Sequence, residues 1–162
     1  MALEKIRIDD GWWNDADELR RREWQIAVKE SLADGELKFL PNASRLDIHA
    51  ASHGYEFALR DSAGETLAAV EVPRDALSKQ VQEYVDVVRQ MERVDMGYGA
   101  ARLEALDMAK KLTHDDAGRV LERLCAPLGV DHPTGRRLFT LLFTLRVDTS
   151  RLTGFRAHRP VR

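Results

Sequence analysis

One stretch of the chain carries two carboxylates, a lysine and a histidine. Their spacing would place all four side chains on one face of a helix. Glu104, Asp107, Lys111 and His114 lie within about 80 degrees of one another if each residue of a helix turns by about 100 degrees. Two carboxylates and a histidine can bind a divalent metal ion, and they are also the groups of general acid–base catalysis. Asp131, in a later loop, is a further candidate metal ligand. This face is therefore a candidate metal-binding or hydrolase-type catalytic site.

The same residues also have a purely structural interpretation. Glu104 with Lys111, and Asp107 with Lys110 or Lys111, are ordinary pairs on an exposed helix face. No H-E-x-x-H or calcium-loop motif accompanies them. A helix boundary at His114 would break the face, so both interpretations stay open.

Two adjacent arginines are the second candidate. Arg136 and Arg137 fall in the first turn of a predicted helix, and Thr140 and Thr144 continue a narrow polar strip along it. Two guanidinium groups there could bind a carboxylate or a phosphate. Alternatively, one of them forms an ion pair with Asp107 or Glu104 and holds two helices together, which is the interpretation we favour.

The elements that must position these residues follow from the apolar spacing. Alternating residues predict an antiparallel three-stranded meander over 45–50, 55–60 and 66–72, with a fourth strand from 5–8. Helical spacing predicts five helices: 15–32 with Asn14 as its N-cap, 75–92, 100–112, one capped by Thr113, and one starting near Pro133. Gly97, Tyr98 and Gly99 predict a helix break before 100. The helix after Pro133 is apolar almost all round, which predicts a position at the centre of the core. The pattern predicts an α+β fold in which the small meander packs against the helical C-terminal half.

The charge is unevenly distributed along the 162 residues. Residues 136–162 hold seven arginines and one acid, a charge of +6, which leaves −8 on residues 1–135 and gives the total of −2. We predict one domain over 1–150 and a basic, flexible tail over 151–162. The tail arginines are candidates for binding nucleic acid: Arg151, Arg156, Arg159 and Arg162.

Several classes of protein are poor matches. The single cysteine, Cys125, excludes an intrachain disulfide and a cysteine-rich zinc site, and we interpret it as a core residue. No run of about 20 apolar residues predicts a membrane span, and the N-terminus has no secretory signal pattern. The helix after Pro133 is too apolar to read DNA bases as a recognition helix would. We expect a cytoplasmic protein without a cofactor.

Four segments of the C-terminal half resemble a known family. They are 103–108 (LEALDM), 112–115 (LTHD), 121–124 (LERL) and 134–141 (TGRRLFTL). The chain is similar to the uncharacterised protein family 0262 of the UPF series, which carries E-A-I-D-M and T-A-R-R-L-F-T-L segments in this order. The resemblance extends over about 23–145, and the chain is identified as a distant member. Lys110 and Lys111 stand where the family has two arginines. Lysine cannot form the paired hydrogen bonds to a carboxylate or phosphate that an arginine forms. The resemblance implies a small bacterial cytoplasmic protein and no assigned activity.

No motif assembles a convincing active site. The sequence therefore favours an interaction or regulatory module that associates with itself or binds another protein. The alternatives are a metal-binding protein or hydrolase-type enzyme using Glu104, Asp107 and His114, and a nucleic-acid binder using the arginine-rich C-terminus.

Overall fold

A four-stranded sheet forms one side of the computed structural model, which describes residues 3–33, 35–94 and 99–147. The strand order is β1-β2-β3-β4, with the bounds Lys5–Ile8, Arg45–Ala51, Gly54–Arg60 and Thr66–Pro73. Strands β2, β3 and β4 form the predicted antiparallel meander. The fourth strand pairs parallel to β2, with Ile6 opposite Leu46 and Ile8 opposite Ile48.

The alternation of side chains gives the sheet one buried and one open face. Leu46 lies opposite Leu59, and Ile48 lies opposite Phe57, and all four side chains are fully buried. These positions alternate along β2 with Arg45, Asp47 and His49, which therefore lie on the other face. The apolar face holds the core against the helices.

The described residues also form five helices, whose apolar side chains share one core with the apolar face of the sheet. Their bounds are Asp10–Asp15 (α1), Glu18–Leu32 (α2), Ser78–Val94 (α3), Ala100–Leu124 (α4) and His132–Arg146 (α5). Short 3-10 turns at Arg74–Leu77 and Ala126–Leu128 precede α3 and α5. Helix α5 is buried over most of its length, which confirms its predicted central position.

Helix α2 is connected to the far end of the chain. The Trp24 indole N–H donates to the Thr144 carbonyl over 3.2 Å, and Arg20 Nη2 donates to the Leu145 carbonyl over 3.0 Å. Both carbonyls belong to the last turn of α5, where backbone oxygens lack helical partners. These bonds join the start of the fold to its last described helix.

Helices α4 and α5 cross where each carries a glycine. A Cβ built on Gly135 would lie 2.5 Å from the Gly118 carbonyl oxygen. Real Cβ atoms do not approach a backbone oxygen so closely, so this crossing requires glycine at position 135. A Cβ on Gly118 would instead meet side chains, at 2.7 Å from Arg136 Cγ and 2.9 Å from the His132 ring.

Two predicted helix boundaries are wrong. Thr113 does not cap a new helix, because α4 runs unbroken through it and the buried Thr113 hydroxyl donates to the Ala109 carbonyl over 3.1 Å. Asn14 is not an N-cap either, because it lies inside α1, and the helix predicted over 15–32 begins at Glu18. Asp9 caps α1 and Asp17 caps α2, each by accepting backbone N–H bonds with its carboxylate.

The α+β class and the meander packed against a helical C-terminal half are confirmed. No helix within the described ranges is both long and apolar enough to span a bilayer. The predicted helix break at 97–98, the domain boundary at 150 and the arginine-rich tail at 151–162 lie outside the described residues.

Candidate functional site

The outer face of α4 carries the acidic candidates, but the histidine turns away from them. Glu104 is exposed, and Asp107 forms a surface ion pair with Lys111 over 3.4 Å. His114 is half-buried and faces α3 and α5 instead. Among residues 3–33, 35–94 and 99–147, no three His, Cys, Asp or Glu side chains lie close enough to hold a metal ion. The structure thus does not bring Glu104, Asp107, His114 and Asp131 together as metal ligands.

His114 sits in an aromatic cluster between three helices. Its ring packs edge-on against Tyr84 at 4.8 Å and Phe139 at 5.5 Å between centroids. Nδ1 lies 3.2 Å from the Lys110 carbonyl, and Nε2 lies 3.2 Å from the Thr140 hydroxyl. A carbonyl only accepts, so Nδ1 carries a proton and donates it to Lys110. Both ring nitrogens therefore have a hydrogen-bond partner.

Burial, together with the nearby charges of Lys110 and Arg136, lowers the pKa of His114 from 6.5 to about 4, although the hydrogen bond to the Lys110 carbonyl and the charge of Asp115 oppose this shift. Between these two pH values the unfolded chain binds a proton that the folded chain does not. We therefore expect the free energy of unfolding to fall by about 2 kcal/mol as the pH drops from 6.5 to 4. Urea unfolding at a series of pH values measures this.

The histidine substitutions provide the control. His114→Phe keeps an aromatic ring in the cluster and removes the titration, so its stability should vary much less between pH 6.5 and 4. His53→Phe changes an exposed histidine and should retain the wild-type pH dependence. A pH dependence that His114→Phe leaves unchanged would contradict the assignment.

Both arginines of the pair form ion pairs, with partners other than those predicted. Arg136 Nη1 pairs with Asp115 Oδ1 and so connects α5 to α4, whereas the predicted partner was Asp107 or Glu104. Arg137 Nη2 pairs with Glu36 Oε2 over 2.8 Å, which connects α5 to the segment before β2. A role of either arginine in binding an anion stays a prediction.

Asp131 is the N-cap of α5. Its carboxylate accepts from the Thr134 backbone N–H over 2.9 Å. Hydrogen bonds from the Thr134 side chain and backbone hold the pKa of Asp131 below its usual value, although burial opposes them. The Thr134 hydroxyl in turn accepts from the Lys38 backbone N–H over 2.8 Å. The carboxylate is thus part of a helix-capping network.

An exposed apolar stripe on α4 was not predicted from the sequence. Met108 and Leu112 are 57% and 58% exposed, more than the other large apolar side chains in the described part of the chain. Ala101 and Ala105 are also exposed and lie on the same side of the helix. The spacing of 4, 3 and 4 residues is that of a coiled-coil seam. This spacing was the available signal, but exposure could not be inferred from it.

A buried carboxylate on the open sheet face was also missed. Asp47 is 2% exposed and accepts from Arg45 Nε over 2.7 Å, from Arg45 Nη2 over 3.1 Å and from Arg60 Nε over 2.7 Å. Burial raises the pKa of Asp47, but hydrogen bonds from the two arginines outweigh it and lower the pKa below 3.8. The alternation along β2 placed these residues on one face, but the pairing with β3 brought Arg60 to them.

Cys125 is buried, and burial raises the pKa of its thiol to about 12. A thiol in that state is not a nucleophile near neutral pH, which agrees with its interpretation as a core residue. The nucleic-acid candidates lie outside the described residues and stay predictions: Arg151, Arg156, Arg159 and Arg162.

Comparisons with known proteins give a family without an assigned activity. A model of an uncharacterised protein family, UPF0262, matches residues 1–148. A UPF0262 protein of Rhodospirillum rubrum is 30% identical over 123 residues, which cover 74% of this chain and 76% of that protein. A UPF0262 protein of Sphingopyxis alaskensis is 24% identical over 160 residues, or 91% of this chain and 94% of the relative. No solved structure matches the chain.

Proposed function

Since the chain belongs to UPF0262, a family named as uncharacterised, we propose a function from its surface: an interaction module that pairs with a second copy through α4. The observation that carries the proposal is the exposed stripe of Ala101, Ala105, Met108 and Leu112. Large apolar side chains that cluster on a surface mark sites of association. A second copy supplies the same stripe and buries both.

Charge complementarity favours a second copy in antiparallel orientation. That orientation packs Ala105 of one helix beside Met108 of the other, and Ala101 beside Leu112. The same alignment places Glu104 next to Lys111 of the second copy. Twofold symmetry forms this ion pair twice. The pair that Lys111 makes with Asp107 is exposed, so exchanging it costs little.

The area of the exposed stripe on α4 sets the expected affinity of the dimer. A stable interface buries about 800 Å² on each partner, and four side chains of one helix cover less. The dimer is therefore weak and depends on concentration. Such reversible pairing suits a regulatory module better than a permanent scaffold.

Sedimentation velocity of the full chain over a range of concentrations tests the proposal. The average mass of the wild type should rise with concentration. Met108→Glu with Leu112→Glu should keep the chain monomeric. The matched control is Leu19→Glu, which places the same charge at an exposed leucine of α2 and should leave association unchanged.

Charge reversal tests the orientation. Glu104→Lys turns two attractive contacts into two repulsive ones and should weaken the dimer about tenfold. Adding Lys111→Glu restores opposite charges and should restore association. A wild type that stays monomeric at every concentration, or a double reversal that does not recover, would contradict the proposal.

The proposal places the protein in the cytoplasm. Its one cysteine is a buried thiol, so the fold gains nothing from an oxidising compartment. The metal-binding or hydrolase-type reading of Glu104, Asp107 and His114, and nucleic-acid binding by the tail, stay predictions that no contact among the described residues favours.

A further inference from the structure

Strand β1 forms an edge of the sheet with unused backbone groups. Among the strands of the described residues it pairs only with β2, through bonds such as Lys5 N–H to the Ser44 carbonyl and Asp9 N–H to the Ile48 carbonyl. In a parallel pair, alternate residues bond to one neighbour and the residues between them face the other side. The N–H and C=O groups of Ile6 and Ile8 therefore point away from β2. An edge of this kind is a template for a further strand.

A groove of about 730 Å³ runs beside this edge, between β1 and α2. Its apolar side is formed by Trp13, Val28 and Leu32, on the inner side of the sheet. A strand added to β1 would direct every second side chain toward this apolar wall. The wall thus selects apolar residues at alternate positions of the added strand.

The lining of the groove is also basic. Lys5 lies beside Arg45, which is ion-paired with Asp47, and Lys29 belongs to α2. The lone acid of the lining, Asp10, pairs with Arg7 over 3.1 Å. Within the described ranges, neither Lys5 nor Lys29 forms an ion pair. The net positive charge selects acidic residues at the remaining positions of the strand.

We propose that β1 binds an extended segment of a partner protein in which acidic and apolar residues alternate. The segment adds a fifth strand to the sheet, with backbone bonds to Ile6 and Ile8. Its apolar side chains lie against Trp13, Val28 and Leu32, and its carboxylates lie near Lys5, while Lys29 adds positive charge to the groove from α2. A second copy of β1 does not fit this edge, because its own lysine and arginine would face the same cations. The site is separate from the α4 stripe.

Fluorescence anisotropy with labelled peptides tests the proposal on the full chain. An eight-residue peptide of alternating Glu and Val should bind, and added salt should weaken it. A Lys–Val peptide of the same pattern should bind at least about tenfold more weakly. A Glu–Val peptide with alternate amides N-methylated keeps the charge but lacks strand donors, and it should lose binding.

Variants of the protein locate the site. Lys5→Glu with Lys29→Glu should weaken the Glu–Val peptide about tenfold or more. The control Lys79→Glu changes an exposed lysine of α3 and should bind as the wild type does. Both variants should keep the self-association of the wild type, which separates this test from the proposed function. No binding of the Glu–Val peptide, or equal binding of the N-methylated peptide, would overturn the proposal.

Discussion

Gly135→Val is expected to lower the free energy of unfolding by at least about 3 kcal/mol, the upper end of the usual range for an overfilled core. The first atom of any side chain at this position meets the Gly118 carbonyl oxygen at 2.5 Å. That oxygen belongs to the backbone of α4, so it cannot move without moving the helix. Helices α4 and α5 must then separate, and the core on both sides of the crossing opens.

Chemical denaturation with a circular dichroism readout measures the loss. Gly118→Ala is the comparison, because its Cβ meets the Arg136 and His132 side chains rather than backbone. Side chains can adjust, and alanine favours a helix over glycine by about 1 kcal/mol. Gly118→Ala should thus cost much less than Gly135→Ala. Equal stability of the two alanine variants would show that the crossing is not fixed by Gly135.

Asp47→Ala is the second large effect, with an expected loss of about 3 kcal/mol. The substitution leaves Arg45 and Arg60 side by side without the carboxylate that accepts three bonds from them. The cost falls at the low end of the range for broken buried ion pairs, because both guanidinium groups are about 30% exposed and reach water. Thermal and denaturant unfolding both report it.

The control for Asp47 is an exposed pair of the same chemistry. Asp116→Ala removes the partner of Arg119 at the surface of α4 and should change stability by less than about 1 kcal/mol. The pKa of Asp47 is lowered, so its contribution is complete above pH 3.8 and is lost as the pH falls through its folded value. A loss for Asp47→Ala no larger than that for Asp116→Ala would contradict the role of this cluster.

The fold class was predictable because the relevant signals are local. Alternation over two-residue periods identified β2 and β3 within about one residue, since one face of each is buried. Strand β4 was identified as closely from its β-branched and small residues. The apolar run after Pro133 predicted the central helix. The parallel pairing of β1 was not predictable, because its partner β2 begins about forty residues later in the chain.

The helix boundaries failed where local chemistry competes with packing. Thr113 has the residue type of a cap, but burial against the neighbouring helices keeps α4 continuous through it. Asp17, not Asn14, caps the helix that the apolar spacing indicated, and α1, which Asp9 caps, was not predicted. Capping depends on backbone geometry that residue type alone does not fix.

The candidate site was predictable only in part. The spacing placed Glu104 and Asp107 on the outer side of α4, and their position there agrees with it. The spacing could not show that the His114 side chain points into an aromatic cluster, because Tyr84 and Phe139 belong to other helices. Nor could it show that Met108 stays uncovered. What covers a helix face is decided by the tertiary arrangement.

The bonds from α2 to the last turn of α5 have a consequence for synthesis on the ribosome. Trp24 and Arg20 emerge first, but the carbonyls of Thr144 and Leu145 that they bind are made about 120 residues later. Strand β1 waits less long, because β2 follows it by about forty residues. Helix α2 therefore stays undocked until α5 has been synthesised, and Trp24 is exposed meanwhile to chaperones and neighbouring nascent chains. Docking of α2 is thus expected to be a late step of folding.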